Sequence, residues 1–416
     1  MRLELVWKGK EDLAKQKPQN STVSEVKSKR ISSSTNAPIH KIFEGDNLLI
    51  LENRREEWKE KFKLIYIDPP YNTGNTDFFY KDKFKAAECE DSHTNWLNFI
   101  YPRLVIAKDI LHEQGAIFIS IDDYELFHLK LICDEIFGPQ NFVANFVRVN
   151  KSGAGHDTKK VAIEYDYVLC YAKNFKQLNF SKEELKPEND PKYKLKDEHV
   201  KHRGKYYLRD LDYRGSYSLS LDYGIVTPDG KEVFSGGKFG KPNTWRWSKE
   251  KFEWGFKNDF IVFKKREKGY KVYIKQYQFV DNKNQLRIRK IPYRSLINFS
   301  NSKGSTQLKS VLEQSIFSYP KPLELIDFIL SLYAEEKAIE VLDFFAGSGT
   351  TMHATLMHNA KHQTNHKCTL ITNNENNICQ EVTYPRIKNV IKGYVTPKGK
   401  KIEGLVDNEL VYYKIK

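Results

Sequence analysis

Cysteine is scarce in this 416-residue chain, and the few present are scattered. Cys89, Cys133, Cys170, Cys368 and Cys379 are odd in number and never spaced Cys-x-x-Cys, so neither a disulfide framework nor a zinc site is indicated. Reduced and mostly buried thiols are expected. Long apolar runs are missing as well: nothing approaches the roughly 18 consecutive apolar residues that a membrane helix needs. Residues 1–8 lack the apolar core of a signal peptide, so the expected location is the cytoplasm, with no membrane partner. No Lys follows Gly349 in the chain's glycine turn, which disfavours a Walker-type phosphate loop. No internal repeat points to a solenoid.

What the chain has in excess is positive charge: 68 Lys and Arg against 54 Asp and Glu, a formal net charge of +14. Lysines and arginines that neutralise phosphates release condensed counterions, so nucleic acid is the natural partner of such a surface. An ordinary solvated basic surface would give the same count. At this length, with 40% hydrophobic residues, the chain can bury a substantial core and build two or three domains.

Residues 14–39 are polar, charged and rich in Ser and Asn, and residues 1–40 are expected to form a flexible arm. From 41 to 173, short apolar runs alternate with amphipathic ones. Residues 64–67, 116–121 and 167–171 read as strands, and 96–111 and 124–137 as helices. Such alternation implies a parallel, doubly wound α/β sheet. From 174 to 314 charge is dense, Gly, Asn and Tyr are frequent, and 270–280 looks like an exposed antiparallel strand. The α/β pattern returns over 315–416, with a helix at 323–333, a strand at 339–344, a helix from Thr350 and a strand at 367–372. The middle module is therefore expected to interrupt one sheet domain.

Two motifs carry chemistry. Asp68-Pro69-Pro70-Tyr71 follows the 64–67 strand, at the carboxyl end where ligands bind in open α/β sheets. An aromatic amino nitrogen such as that of adenine is a poor nucleophile, because its lone pair is delocalised into the ring. Asp68 and the Pro69 carbonyl can accept its hydrogens and draw it toward tetrahedral geometry. Pro70 has no N–H and both prolines fix φ, which holds that carbonyl in place. Tyr71 can stack on the base, which has to leave a duplex before it is reached. A plain strand-ending turn would use the same residues. The second motif, Val341-Leu342-Asp343-Phe344-Phe345-Ala346-Gly347-Ser348-Gly349-Thr350-Thr351, reads as strand, glycine turn and helix start. Gly347 and Gly349 allow close ligand approach, and the helix start at Thr350 offers free N–H groups to a carboxylate. Glu375, just past the next strand, is placed to hold ribose hydroxyls, or is a solvated loop acid.

Together these residues resemble the amino-methylating DNA methyltransferases of restriction and modification systems, in the beta arrangement where the catalytic motif precedes the cofactor motif. The resemblance runs from Lys41 to Tyr394 and includes Phe43-Glu44-Gly45-Asp46-Asn47-Leu48 and Phe317-Ser318-Tyr319-Pro320-Lys321-Pro322. It implies a Rossmann-like fold, S-adenosylmethionine as cofactor and no metal. It casts Asp46 and Asn47 as contacts to the cofactor adenine, Asp343 and Phe345 as pocket walls, and Lys321 as part of the closing segment. Asp-Pro-Pro-Tyr-Asn-Thr-Gly, ending at Gly74, is similar to adenine modifiers including type III modification subunits; Ser at position 68 would have implied cytosine.

The expected activity is therefore N6-adenine methylation of duplex DNA after base flipping, with residues 174–314 as the target-recognition domain. Lys241-Pro242-Asn243-Thr244-Trp245-Arg246-Trp247 interleaves basic and aromatic residues, and Trp245 and Arg246 are the candidate base readers. A restriction endonuclease subunit and a second copy of the chain are the protein partners implied. The competing readings are N4-cytosine methylation, methylation of RNA or of a glutamine side chain, and a non-catalytic specificity subunit of a nuclease.

Overall fold

The computed structural model describes residues 4–13, 21–33, 37–73, 92–151, 161–184, 191–235, 243–267, 269–288, 290–313 and 317–415. Gly74, Cys89, Lys241 and Pro242, named above, lie outside them. The chain divides into two compact units, residues 1–181 with 293–416, and residues 182–292.

The first unit is built on one sheet. Its elements are β1 (Val23–Glu25), β2 (Ile39–Glu44), α1 (Asn47–Arg54), β3 (Phe62–Ile67), α2 (Ser92–Ile110), β4 (Leu111–Ile121), α3 (Leu126–Phe137), β5 (Phe142–Val149) and β6 (Tyr165–Ala172). The second unit contributes β7 (Tyr206–Asp210), α4 (Lys249–Lys257), β8 (Ile261–Arg266) and β9 (Gly269–Tyr277). The chain then returns to the first unit with β10 (Leu296–Asn298), α5 (Asn301–Leu312), α6 (Leu323–Ser331), β11 (Glu340–Asp343), α7 (Thr350–His362), β12 (Lys367–Thr372), α8 (Tyr384–Lys392) and β13 (Glu409–Ile415).

Among the described residues the large sheet has ten strands in the order β1-β13-β2-β12-β11-β3-β4-β6-β5-β10. All its pairings are parallel except β1 with β13 and the two made by β6. Both faces are covered, as the continuous apolar strands required. Successive residues of β3 alternate between two cores: Leu64 and Tyr66 pack with Leu325, Ile329 and Met352, while Ile65 and Ile67 pack with Ile100, Leu104 and Leu129. The result is a doubly wound, mostly parallel α/β layer, with β3 and β11 adjacent although about 280 residues apart in sequence.

Two expected boundaries shift. The described part of the 1–40 arm is not a free tail. β1 adds an antiparallel edge strand to β13, Ile31 bridges Leu410, and the Trp7 indole N–H donates to Asn98 Oδ1 at 2.7 Å. Its few apolar residues are widely spaced, so they leave no periodicity. The inserted unit runs over 182–292 where 174–314 was expected. Phe180 packs on Phe118 and Tyr333, β10 extends the sheet beside β5, and Val311 of α5 joins the sheet core. Within the inserted unit, β7, β8 and β9 form an antiparallel sheet in the order β8-β9-β7, over a core of Leu211, Trp245, Trp247, Phe260 and Ile274.

Candidate active site

Strands β3 and β11 run side by side and end at the same edge of the sheet, so the residues just beyond them are brought together by the ladder itself. Asp68 follows Ile67. Lys321 Nζ lies 2.7 Å from each of its carboxylate oxygens, and the Tyr71 hydroxyl donates to Oδ1 at 2.9 Å. The same ammonium stands 5.0 Å from the centre of the Tyr71 ring. Burial, with Asp68 next in effect, pushes the Tyr71 phenol well above its ordinary range, so it stays a neutral donor. The Trp96 indole N–H donates to the Pro70 carbonyl at 2.7 Å, and Asn72 adopts a left-handed φ of 60°. The Asp68–Asn72 turn is thus held by helix side chains on one side and by Lys321 on the other.

Asp343 ends β11 and is buried. Burial raises its pKa to about 7 against the opposing pull of its two donors, the Thr351 hydroxyl at 2.5 Å and the Phe345 N–H at 2.9 Å. Next comes the glycine turn. Gly347 and Gly349 have φ of 48° and 80°, a region costly for any residue with a Cβ, and the Gly349 N–H closes on the Ala346 carbonyl. The turn hands directly into α7, whose first-turn N–H groups have no intrahelical acceptor. Behind it lies Arg386, fully buried and with no carboxylate partner among the described residues. It donates through Nη1 to Ser348 Oγ at 3.0 Å and Thr350 Oγ1 at 2.9 Å, and burial lowers its pKa to about 9.

Asp46 caps α1, its Oδ1 accepting from the Leu48 and Leu49 N–H groups. Asn47 ties this corner to β11, donating to the Phe344 carbonyl at 2.7 Å and accepting from Arg103 Nε at 2.6 Å. The Arg103 guanidinium stands over the Phe99 ring, 3.9 Å from its centre, and burial lowers its pKa to about 10.

These groups surround one cavity of about 320 Å³. Asp46, Asn47, Asp68, Pro70, Lys321, Asp343, Phe345, Gly347, Thr350 and Glu375, all singled out from the sequence, line it. Pro69, Tyr71 and Gly349 are not in its wall. Lys321 was expected only to close the cofactor pocket; it also pairs with Asp68. Phe317, Tyr319 and Thr351, quoted from the sequence only as parts of longer motifs, also line the cavity, while Phe99 in the wall and Arg103 and Arg386 behind it were not singled out. No signal marks Arg103, since an arginine on an amphipathic helix ordinarily reads as solvated.

Trp245 and Arg246 lie elsewhere, in the inserted unit. Trp245 is 2% exposed, with its indole N–H on the Tyr223 carbonyl at 2.7 Å. It is a core residue and presents no ring to a base. Arg246 is fastened through Nε to the Asp210 carbonyl at 2.9 Å, with its guanidinium 5.3 Å from the Tyr213 ring centre. Among the described residues no helix is long and apolar enough to cross a membrane.

Comparison with known proteins places this geometry. The EcoPI Mod subunit of a type III restriction-modification enzyme from Escherichia phage P1 is 32% identical over 361 residues, covering 77% of this chain and 55% of that protein. The EcoP15I Mod subunit from Escherichia coli is 31% identical over 427 residues, covering 87% and 63%. The type II methyltransferase M.KpnI of Klebsiella pneumoniae is 30% identical over 352 residues, 80% of each chain. The chain therefore spans only 55% and 63% of the two Mod subunits' lengths. A family model described as DNA methylase, N6_N4_Mtase, matches residues 62–382, a span that takes in the Asp68 turn, Lys321 and the glycine turn. Because that match covers most of the chain and both motifs that line the cavity, the chain belongs to the N6_N4_Mtase family of DNA methylases.

Proposed function

We propose that this chain methylates the N6 amino group of adenine in duplex DNA, with S-adenosylmethionine as methyl donor. The observation that carries the reading is that one cavity is lined both by Asp68 and Lys321 and by the glycine turn with the α7 N-terminus. Its donor set suits the cofactor. The α7 N–H groups and the Gly347 backbone fit a carboxylate, exposed Glu375 fits ribose hydroxyls, and Phe99 and Phe345, with ring centres 5.8 Å apart, line the same cavity as Asn47 and Asp46 and suit a purine. When bound, S-adenosylmethionine supplies an electrophilic methyl group on a sulfonium.

The chain's own work is then to hold and activate the nitrogen. A flipped adenine places its amino group against Asp68, and the carboxylate accepts one hydrogen while the Pro69 carbonyl accepts the other. This withdraws the lone pair from the ring and aims it at the methyl carbon. A carboxylate has about four acceptor positions, so Lys321 and the amino group can share Asp68. As the N–C bond forms and the C–S bond breaks, the nitrogen becomes cationic and sheds a proton, for which Asp68 is the adjacent base. Tyr71 is the stacking wall for the base.

Association with a restriction endonuclease subunit, as the type III relatives' names imply for them, and pairing of two copies of this chain are further parts of the reading, in a cytoplasmic setting. The test is transfer of a labelled methyl group to duplex DNA, RNA and protein side by side, followed by mapping of the modified base. Label on adenine N6 in DNA is expected. Label on cytosine N4, or only on RNA or protein, overturns the reading.

A further inference from the structure

Outside the cavity, one cluster combines a buried charge with accessible metal-ligating groups. Glu125 sits at the entry to α3 with 0% exposure. Its Oε1 accepts from Asn72 Nδ2 at 2.6 Å and lies 2.8 Å from His93 Nδ1, and its Oε2 lies 2.8 Å from His128 Nδ1. Among the described residues no Lys or Arg pairs with this carboxylate. A buried carboxylate faced only by imidazoles and an amide is a favourable place for a cation. The imidazole side chains are 38% and 35% exposed, with ring centres 4.7 Å apart, so an ion reaches them from solvent.

We propose that His93, Glu125 and His128 form a site for a divalent transition metal, with Zn²⁺ the best-suited ion. Two imidazoles and one glutamate are a donor set that zinc takes. Three of their ligand atoms, one from each side chain, lie within 4.8 Å of one another. The three-residue spacing of Glu125 and His128 puts both on one face of α3, and the first turn of α2 supplies His93. A neutral imidazole carries a single proton, so moving it from Nδ1 to Nε2 frees a lone pair without any net proton release. With tetrahedral metal–ligand bonds of about 2.0–2.1 Å, ligand atoms lie about 3.3–3.4 Å apart, so the 2.8 Å pairs need to open by about half an ångström.

Among the described residues a hydrogen bond links the site to the active centre. Glu125 accepts from Asn72, the left-handed residue directly after Tyr71, so an ion that takes Oε1 competes for an acceptor of the Asp68–Asn72 turn. Metal occupancy therefore slows methyl transfer while leaving cofactor affinity unchanged. This second half rests on the proposed function; the binding site itself does not.

The experiment uses the full, untagged chain with Co²⁺ as a spectroscopic probe and Zn²⁺ as competitor. One Co²⁺ per chain is expected, displaced by Zn²⁺, with affinity lowered at least about tenfold in His128→Ala and in His128→Asn, which keeps a hydrogen-bonding side chain beside Glu125. His362→Ala, which breaks one of the two other His-containing clusters among the described residues, that of Asp327, His358 and His362, should leave it unchanged. Absence of stoichiometric binding, or binding that survives His128→Ala and His93→Ala, overturns the site. Zn²⁺ should inhibit methyl transfer by the parent chain and spare His128→Asn; equal inhibition of both overturns the link through Asn72. A chain that transfers no methyl group even without metal refutes the proposed function instead, while the Co²⁺ titration still decides the site.

Discussion

In the unit formed by residues 1–181 and 293–416, charged groups, some of them also against rings, gather around the ends of two neighbouring strands; in the unit of residues 182–292, charged groups lie mainly on aromatic rings. The first pattern is Asp68 with Lys321, Asp343 under Thr351, and Arg103 on Asn47. The second is Lys251 over Trp247 at 4.9 Å, Arg203 over Phe260 at 4.7 Å and Lys275 over Tyr206 at 5.2 Å. The same residue types serve different ends. In a parallel sheet the carboxyl ends of strands leave backbone and side chains unpaired and convergent, so polar residues there face a ligand. In a small antiparallel module the scarce apolar volume is aromatic, and lysine and arginine stems cover it, with the Arg203 and Lys275 charges held by the Asn258 carbonyl and the Asp197 carboxylate. Basic and aromatic texture therefore locates chemistry in the first unit and describes packing in the second.

The largest effect should come from treating Trp245 as the core residue its 2% exposure makes it. Trp245→Ala should destabilise the inserted unit by about 3–5 kcal/mol, read as a lower denaturant midpoint. A variant of normal stability with altered sequence preference would return Trp245 to base reading and blur the contrast between the units.

Next is Asp68. Asp68→Ala should lower methyl transfer by about 10²–10³-fold while the cofactor dissociation constant stays within about twofold, because the carboxylate acts on the nucleophile. Parallel loss of cofactor binding would make Asp68 a cofactor contact instead. A third measurement addresses Asp343, whose pKa rises from 3.8 to about 7 on burial. Below about pH 4 the group is protonated whether folded or not and costs nothing. As pH climbs through about 7, the folded chain has to ionise a buried carboxyl or retain a proton that the unfolded chain has released, so stability is lost. Relative to Asp343→Asn, the parent chain should therefore lose stability between pH 4 and pH 7, by an amount on the order of 3 kcal/mol. Parallel melting curves for the two proteins across that range would show that the carboxyl is not desolvated.

These contrasts also explain what the sequence exposed. Strand ends were legible because an apolar run followed by Asp-Pro-Pro-Tyr, or by a glycine pair and a helix start, has one backbone solution, and ten of the residues named that way line the cavity. The pairing of Lys321 with Asp68 was not legible, because 253 residues separate them and only the order of strands brings them together. β1 and Trp7 were hidden for another reason: a short edge strand and a single ring need few apolar residues, too few to set a period. Trp245 misled because exposed and buried tryptophans look alike in a sequence of irregular short strands.

The smallest effect is the one that decides whether the inserted unit does anything electrostatic at all. Residues 182–292 contain 27 Lys and Arg against 16 Asp and Glu, a net +11 out of the chain's +14. Some of that excess is accounted for by cations laid on rings, but Lys249, Lys257 and Lys265 are exposed. If this unit tracks the phosphate backbone, replacing these three with Gln should weaken binding about equally on target and scrambled duplexes. Each lost phosphate contact should reduce the slope of log affinity against log salt by about one unit. Cofactor affinity should not move, since no residue of 182–292 lines the cavity. The measurement is a salt titration of duplex binding by the parent chain and the triple variant. An unchanged slope would mean that these charges only solvate the surface of an aromatic core, and the counterions released on binding would then have to come from basic groups of the α/β unit.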